Sequence, residues 1–571
     1  MKSQRGLGVP TFCLIAICGL VFLSLTMLTQ GAQKGSALRG GARGIVHLAS
    51  GEPPEGIGVQ LISEKTAIRT TVYTDEEGKY EFPVLEAGRY TLRIALPREY
   101  EPYVRESVEI NGPTQLDQID LERVSKTELL PPTPFILSQL TGAEWLMNIP
   151  GTGEEKRVFT LTCGFGCHDY EQIFRNRYDE HSWRLIVQRM MRGQGSPIIN
   201  LTRPTPTSVD RFDRDRPLVG DEELLVKWLA RVRGPDSKDE PLYYLPRPRG
   251  AATRVVITEY ELPRELLAPH DVTADSKGNI WYTAHRSPYA GALDPRTGVV
   301  TEYRIPEKEK DTPGGLPGTH SLAVDKNGIV WFSEQWDHYL TGLDPKTGHT
   351  VARYKAPGPE GTLNSAGFGN WKMDSEGYVY ITRGGGIGVA KIDTRTGKIV
   401  QSWPFKKIPG GTYDSPVTPD GRYWAGAPIG MNLVGLLDTK TGQMWELETG
   451  TEVSSGSKGG FDPEENAWFG GRGGMLIKVS SKTHRVTTYP SPYQYDTFYE
   501  AMPDKNGEVW AGGMQSGHFL RFDPKTERWT SYMLPEPFAH DRQTWIDNST
   551  NPVTVWYVDH NGYMVRIQPL E

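Results

Sequence analysis

The stretch Asp294-Pro295-Arg296-Thr297-Gly298 decides the fold, because it comes back along the chain. It recurs as Asp344-Pro345-Lys346-Thr347-Gly348, Asp393-Thr394-Arg395-Thr396-Gly397 and Asp438-Thr439-Lys440-Thr441-Gly442. Weaker copies are Ser481-Lys482-Thr483-His484 and Asp523-Pro524-Lys525-Thr526-Glu527. A second marker keeps step with it, an aromatic residue after an Asp-x-x-Gly-like turn. Its members are Trp281, Trp331, Tyr380, Trp424, Trp468, Trp510 and Trp556. The mean spacing is about 46 residues, the length of one four-stranded β unit. Seven such units predict a seven-bladed β-propeller over 251–571. The early strand Arg254–Tyr260 would complete the last blade and remove an exposed edge.

Working outward, the chain has 571 residues and is expected to hold several domains. A net charge of −7 argues against nucleic-acid binding, which needs a basic face. The 63 Gly, 43 Pro, 15 Trp and 26 Tyr favour a turn-rich, mainly β, multidomain chain. Residues 1–35 read as an export signal: Lys2 and Arg5 precede the apolar run Val9–Leu28, and small residues follow at Gly31 and Ala32. The same run is long enough for an uncleaved membrane anchor. Either way the body of the chain is expected in the periplasm or outside the cell. Any contact with a membrane would be through this segment.

Cys13 and Cys18 lie in the export run, so the exported body keeps Cys163 and Cys167. Cys163-Gly164-Phe165-Gly166-Cys167-His168 offers two thiols for haem vinyl groups and an adjacent iron ligand. Three residues separate the cysteines where two are usual, and a Cys163–Cys167 disulfide is the alternative. The surrounding region, 141–234, is helical. Trp183, Ile186, Val187, Met190 and Met191 share one helix face, and Leu225, Trp228, Leu229 and Val232 another. The region resembles a class I cytochrome c domain, which implies covalent haem c with His168 on the iron. Met190 or Met191 is the sixth-ligand candidate, with His181 or an open site as alternatives. Such a domain would serve a redox partner protein. Pro-rich stretches at Leu130–Pro134 and Gly234–Gly250 read as linkers.

Region 41–124 shows short alternating runs and the turn-to-strand segments Asp75–Phe82 and Gly88–Ile94. It resembles the carboxypeptidase regulatory-like domain, a small β-sandwich with a carbohydrate-binding-like fold. That resemblance implies a spacer or adhesion unit.

In a propeller the innermost strands line a central funnel. One repeated position falls at His270, His320, Gly369, Ser415, Ser457, Tyr499 and Arg542. A second falls at Ala284, Glu334, Arg383, Ala427, Gly471, Gly513 and Asp559, with His285, Asp414, Arg472, Glu500 and His540 nearby. Pro269-His270-Asp271-Val272, and Thr319-His320-Ser321-Leu322 followed by Val330-Trp331-Phe332-Ser333-Glu334, look like streptogramin (virginiamycin B) lyase propellers. That family opens a cyclic depsipeptide by elimination, with a histidine base and Mg²⁺ near glutamates. The resemblance implies His320 as general acid/base, Glu334 on Mg²⁺ or orienting the base, and His270 as second histidine. The funnel would then bind a small molecule or peptide and cleave it by His-assisted elimination. The alternatives are a haem-coupled oxidoreductase, with a metal or quinone on His270, His320 and His540, and a non-catalytic binding module.

Overall fold

The computed structural model describes residues 38–124, 133–163, 170–192, 222–238, 242–264, 267–305, 318–334, 338–355, 370–383, 388–408, 411–428, 431–450, 456–537 and 539–571. The export run, Cys167 and His168 lie outside the described residues, as do Gly369 and the side chains of Met191 and Arg383. Among the described residues no helix is long and apolar enough to cross a membrane.

The fold is mainly β. From Val255 onward the chain builds successive antiparallel sheets, each a meander of neighbouring strands. The first uses Pro269–Ala274, Ile280–Ala284, Tyr289–Leu293 and Val300–Arg304. The next two start at Thr319 and Lys372. A fourth spans Tyr423–Gly426 to Gln443–Glu448, with a bridge from Val417 to Trp424 on its inner edge. Two more start at Gly456 and Glu500. The last joins Asp541–Asp547, Thr554–Asp559 and Tyr563–Pro569 to the early strand Val255–Glu261.

Neighbouring sheets are stitched by hydrogen bonds. Ala284 N donates to Thr319 Oγ1 (2.7 Å), Trp371 N to Ser321 Oγ (3.0 Å) and Thr412 N to Thr382 Oγ1 (2.8 Å). Gly459 N donates to Asp414 Oδ2 (3.2 Å), Lys458 and Gly459 pair with Glu500 and Ala501, and Thr544 N donates to Glu500. Val272 N then donates to Gln543 Oε1 (3.1 Å), so the last sheet returns to the first.

The second marker, the aromatic residue and the turn before it, is held together physically. The Asp of each inter-strand turn caps the turn's N–H groups and accepts from the aromatic marker six residues on. Trp281, Trp331, Trp468 and Trp510 donate to Asp275, Asp325, Asp462 and Asp504 at 3.0, 3.0, 2.8 and 3.1 Å. Tyr380 does the same to Asp374 at 3.2 Å. Where Thr418 replaces the aspartate, the buried Trp424 Nε1 has no partner. Asp462→Ala should therefore orphan buried donors on Trp468 and Asn466. The expected cost is about 1–3 kcal/mol, read as a lower urea midpoint by tryptophan fluorescence. An unchanged midpoint would remove this bond from the account of the repeat.

The Asp-x-x-Thr-Gly turns end in left-handed glycines: Gly298, Gly348, Gly397 and Gly442 have φ of 70–75°. In the weaker copies His484 and Glu527 take the same backbone at φ 58° and 54°. The repeat geometry thus persists where its preferred residue is missing.

Strands 40–121 form the two sheets of a small sandwich around Val46, Val59, Leu61, Phe82, Leu92 and Ile119. Its edge strand Arg69–Tyr73 pairs antiparallel with Val255–Glu261, register Val72 to Val256. One eight-stranded sheet therefore runs from Asp541–Asp547 out to Val104–Ile110. The expected spacer is a continuation of the last sheet, because each unpaired edge satisfies the other's backbone groups. At the seam Gln60 Nε2 donates to the buried Glu259 (3.1 Å), and Arg93 donates to Gln60 (2.7 Å). Burial, reinforced by Glu536, pushes the Glu259 carboxyl up.

The helical region packs Gly153–Cys163, Tyr170–Phe174, Glu180–Arg192 and Glu222–Val232 around Phe159, Phe174, Trp183 and Trp228. Phe159 contacts Trp228 edge-on at 5.4 Å. The stretch expected as a second linker is instead tied down. Leu245 N donates to Glu144 (2.7 Å), Tyr243 N to Asn148 (2.7 Å), and Arg247 ion-pairs with Glu99 (3.3 Å).

Candidate functional site

The first sheet supplies two histidines and the second a third. His270 lies on the inner strand Pro269–Ala274. His285 follows the adjacent strand Ile280–Ala284, and its N–H donates to Ala268 O at 3.0 Å. The register slips between Tyr282 and Ala284, where Ala284 meets Pro269, so the turn after the strand reaches His270. Thr283 Oγ1 donates to His320 O, which draws the second sheet against the first. The three rings stack, with centroids 4.2 Å apart for His270–His285, 3.7 Å for His270–His320 and 4.9 Å for His285–His320.

His270 is fixed at both nitrogens. Nδ1 lies 2.6 Å from Asp271 Oδ1 and Nε2 lies 2.8 Å from the Tyr499 hydroxyl. Asp271 also holds the buried Lys458 ammonium at 2.5 Å. A carboxylate paired to an ammonium can only accept, so Nδ1 carries the proton and Tyr499 donates to Nε2. Tyr413 and Tyr499 hydroxyls are hydrogen-bonded, and the Arg542 guanidinium lies over the Tyr499 ring at 4.9 Å. Burial holds His270 and His320 well below the ordinary imidazole range, and drives His285 down to about 3. All three rings are neutral at physiological pH, with burial opposing their protonation.

A group of charged side chains adjoins them through Asp271 and Lys458. Lys372 reaches Glu500 at 3.2 Å and Asp414 at 3.9 Å. Burial opposes the Lys372 charge, but Asp414 and Glu500 hold it above the ordinary lysine range. Burial lifts Glu500 to about 7, against the pull of Lys372 and Lys458. On the adjoining last sheet Arg542 lies 3.4 Å from His560 Nδ1, and the His540 and His560 rings are 5.2 Å apart.

The repeated inner-strand position thus converges as expected for His270, His320, Tyr499 and Arg542. Ser457 is buried on the strand Gly456–Phe461, and Ser415 is buried in the segment before the bridge at Val417. Glu334 is placed otherwise. Its carboxylate accepts from Thr341 Oγ1 (2.5 Å) and from Arg353 Nε and Nη2 (2.9 and 2.6 Å). The histidine cluster contains imidazole donors alone, among the described residues. Mg²⁺ takes oxygen ligands, so these residues do not fit the magnesium site that the lyase resemblance implies. Sequence reasoning missed Lys372, Lys458, Tyr413 and His560. For the lysines a signal existed: a lone charge inside Trp371-Lys372-Met373 and Ser457-Lys458-Gly459, each on an inner strand.

Cys163 ends the helix Gly153–Cys163 and carries a free thiol that burial pushes up to about 12, with Arg472 pulling the other way. It packs against the aromatic core of the helical region. Arg472 Nη1 donates to Leu161 O at 3.1 Å. Arg472 follows the strand Ala467–Gly471 as His285 follows Ile280–Ala284, so both stand at the same rim of the sheets. Gln515 at that rim accepts from Ala143 N (2.6 Å) and, through its side chain, from Tyr170 N (3.2 Å). Of the sixth-ligand candidates, Met190 is 42% exposed rather than packed on the Trp183 face, and His181 is exposed. A free thiol beside an aromatic core fits thioether attachment of a haem, which needs apolar surroundings.

Residues 41–122 match the family profile described as carboxypeptidase regulatory-like domain. No curated protein matches the chain. Among solved structures the chain is similar to virginiamycin B lyase from Staphylococcus aureus, at 16% identity and TM-score 0.47, over 55% of this chain and 99% of that one. A streptogramin B lyase matches at 17% identity and TM-score 0.47, over 56% of this chain and 99% of that one. Kuenenia stuttgartiensis hydrazine synthase matches at 12% identity and TM-score 0.42, over 54% and 97%.

Proposed function

We propose that this chain is an exported redox protein. In this reading its sheets close as a seven-bladed propeller, its funnel binds a small molecule, and a c-type haem sits in the helical region at the funnel rim. The hydrogen bonds that run from each sheet to the next and back to the first support the closed ring. The observation that carries the redox reading is the position of Cys163, whose helix is held by Arg472 at the rim that bears His285. Cys163 and Cys167 would hold the haem, with His168 on the iron. When bound, that group supplies one-electron transfer. The chain's own residues bind and orient the reactant: Arg542 offers a positive charge, the neutral imidazoles offer ring nitrogens, and the Tyr413–Tyr499 pair can donate a proton.

His-assisted elimination has weaker support. A base at His320 would need the Glu334 carboxylate, which is bound to Arg353 and Thr341. An elimination also moves no net electrons, which leaves a haem without a task. The segment 1–35 supports delivery to the periplasm or beyond, where a redox partner protein would collect the electrons.

The test is to express the full chain with the cytochrome c maturation machinery and run a pyridine haemochrome assay. One covalent haem per chain is expected, and none in Cys163→Ser/Cys167→Ser. A parent protein without covalent haem would overturn the reading.

A further inference from the structure

We propose that His270, His285 and His320 form a binding site for one divalent first-row transition cation of the zinc or copper class at the funnel mouth. This goes beyond the haem reading and does not depend on it.

The geometry comes first. One ring nitrogen from each histidine lies within 4.8 Å of the other two. Tetrahedral ligands at about 2.0–2.1 Å from a metal stand about 3.3 Å apart. Closing the set requires the rings to turn out of their stack until their lone pairs converge.

The donors come second. Nitrogen ligands without a carboxylate select against Mg²⁺ and Ca²⁺ and favour zinc or copper.

The support behind the ligands comes third. Asp271 accepts from His270 Nδ1 at 2.6 Å and is itself pinned by Lys458 at 2.5 Å. This fixes the tautomer and leaves Nε2 as the lone-pair nitrogen. A carboxylate behind a histidine is the arrangement by which metal sites orient their ligands. Tyr499 now occupies the Nε2 lone pair at 2.8 Å, and a cation would take that place.

Three protein ligands leave a fourth position open, as in sites where the metal binds a reactant. Arg542, over the Tyr499 ring, stands near that position. An anionic donor, such as a carboxylate or a deprotonated hydroxyl of a small molecule, would suit it.

The test uses untagged full-length protein, stripped with a chelator and then titrated. Calorimetry with Zn²⁺ should show one equivalent bound. Paramagnetic resonance of the Cu²⁺ form should show coupling to three nitrogens. His285→Gln should weaken binding at least about 100-fold, and Asp271→Asn about 10–100-fold, with near-ultraviolet dichroism confirming the fold. Cys163→Ser/Cys167→Ser should bind as the parent does, which separates this site from the haem. The proposal is overturned by the absence of stoichiometric binding, by full affinity in His285→Gln, or by loss of binding in His560→Gln alone. If His285→Gln does not fold, the nitrogen count in the parent decides: fewer than three overturns it.

Discussion

Lys458→Met should destabilise the β part by about 3–5 kcal/mol, the cost of breaking a buried ion pair from one side. Lys458 and Asp271 are almost wholly buried and 2.5 Å apart. Methionine matches the volume but leaves Asp271 without its cation and removes an attraction on Glu500. The loss should depend on pH. Burial raises the Glu500 carboxyl from 4.5 to about 7, so the folded chain binds more protons than the unfolded chain between those values. Stability therefore falls as pH rises through that window. Without Lys458 the folded value moves higher still, so the fall is steeper and extends further. Urea unfolding followed by tryptophan fluorescence should show a larger deficit at pH 8 than at pH 5. A deficit equal at both values would disconnect Glu500 from Lys458, and no deficit would remove the ion pair from the account of the histidine site.

Arg98→Met should loosen the helical region by about 3–5 kcal/mol on the same physics. Arg98 comes from the sandwich and Glu144 from the helix Gly142–Asn148, and their side chains meet at 3.3 Å with almost no exposure. Arg98 also donates to Leu245 O at 2.7 Å. Glu144 closes the capping box with Thr141 and accepts from Leu245 N. Removing the guanidinium leaves a buried carboxylate at the start of that helix. Amide exchange should accelerate in Gly142–Asn148 while the sheet cores stay protected. Uniform acceleration would point to a single cooperative unit instead.

These two sites mark the limits of sequence reading. The repeat was legible because a β meander imposes a fixed chain length, and because Asp462 must lie six residues before Trp468 to accept its indole proton. The same arithmetic brought His270, His320, Tyr499 and Arg542 to one repeated position. His285 was noted only as a neighbour, since its place depends on a register slip. Lys458 and Lys372 were passed over, because a charge on an inner strand reads as solvated until its partners are known. Glu334 was read through its interval from His320. Its carboxylate turned out to serve Arg353, 19 residues on in the same sheet.

By itself, the sequence determined the repeating β architecture, the sandwich-like first region and the helical insert that carries Cys163. Each rests on local periodicity and turn chemistry, which neighbouring residues encode. Tertiary structure alone decided that the sandwich edge continues the last sheet, that Arg472 holds the helix ending at Cys163 to the rim, and that three histidines share one cluster. Those outcomes rest on pairings between residues tens to hundreds of positions apart. Backbone edges, buried charges and ring faces find partners there according to shape and burial, which no local pattern records.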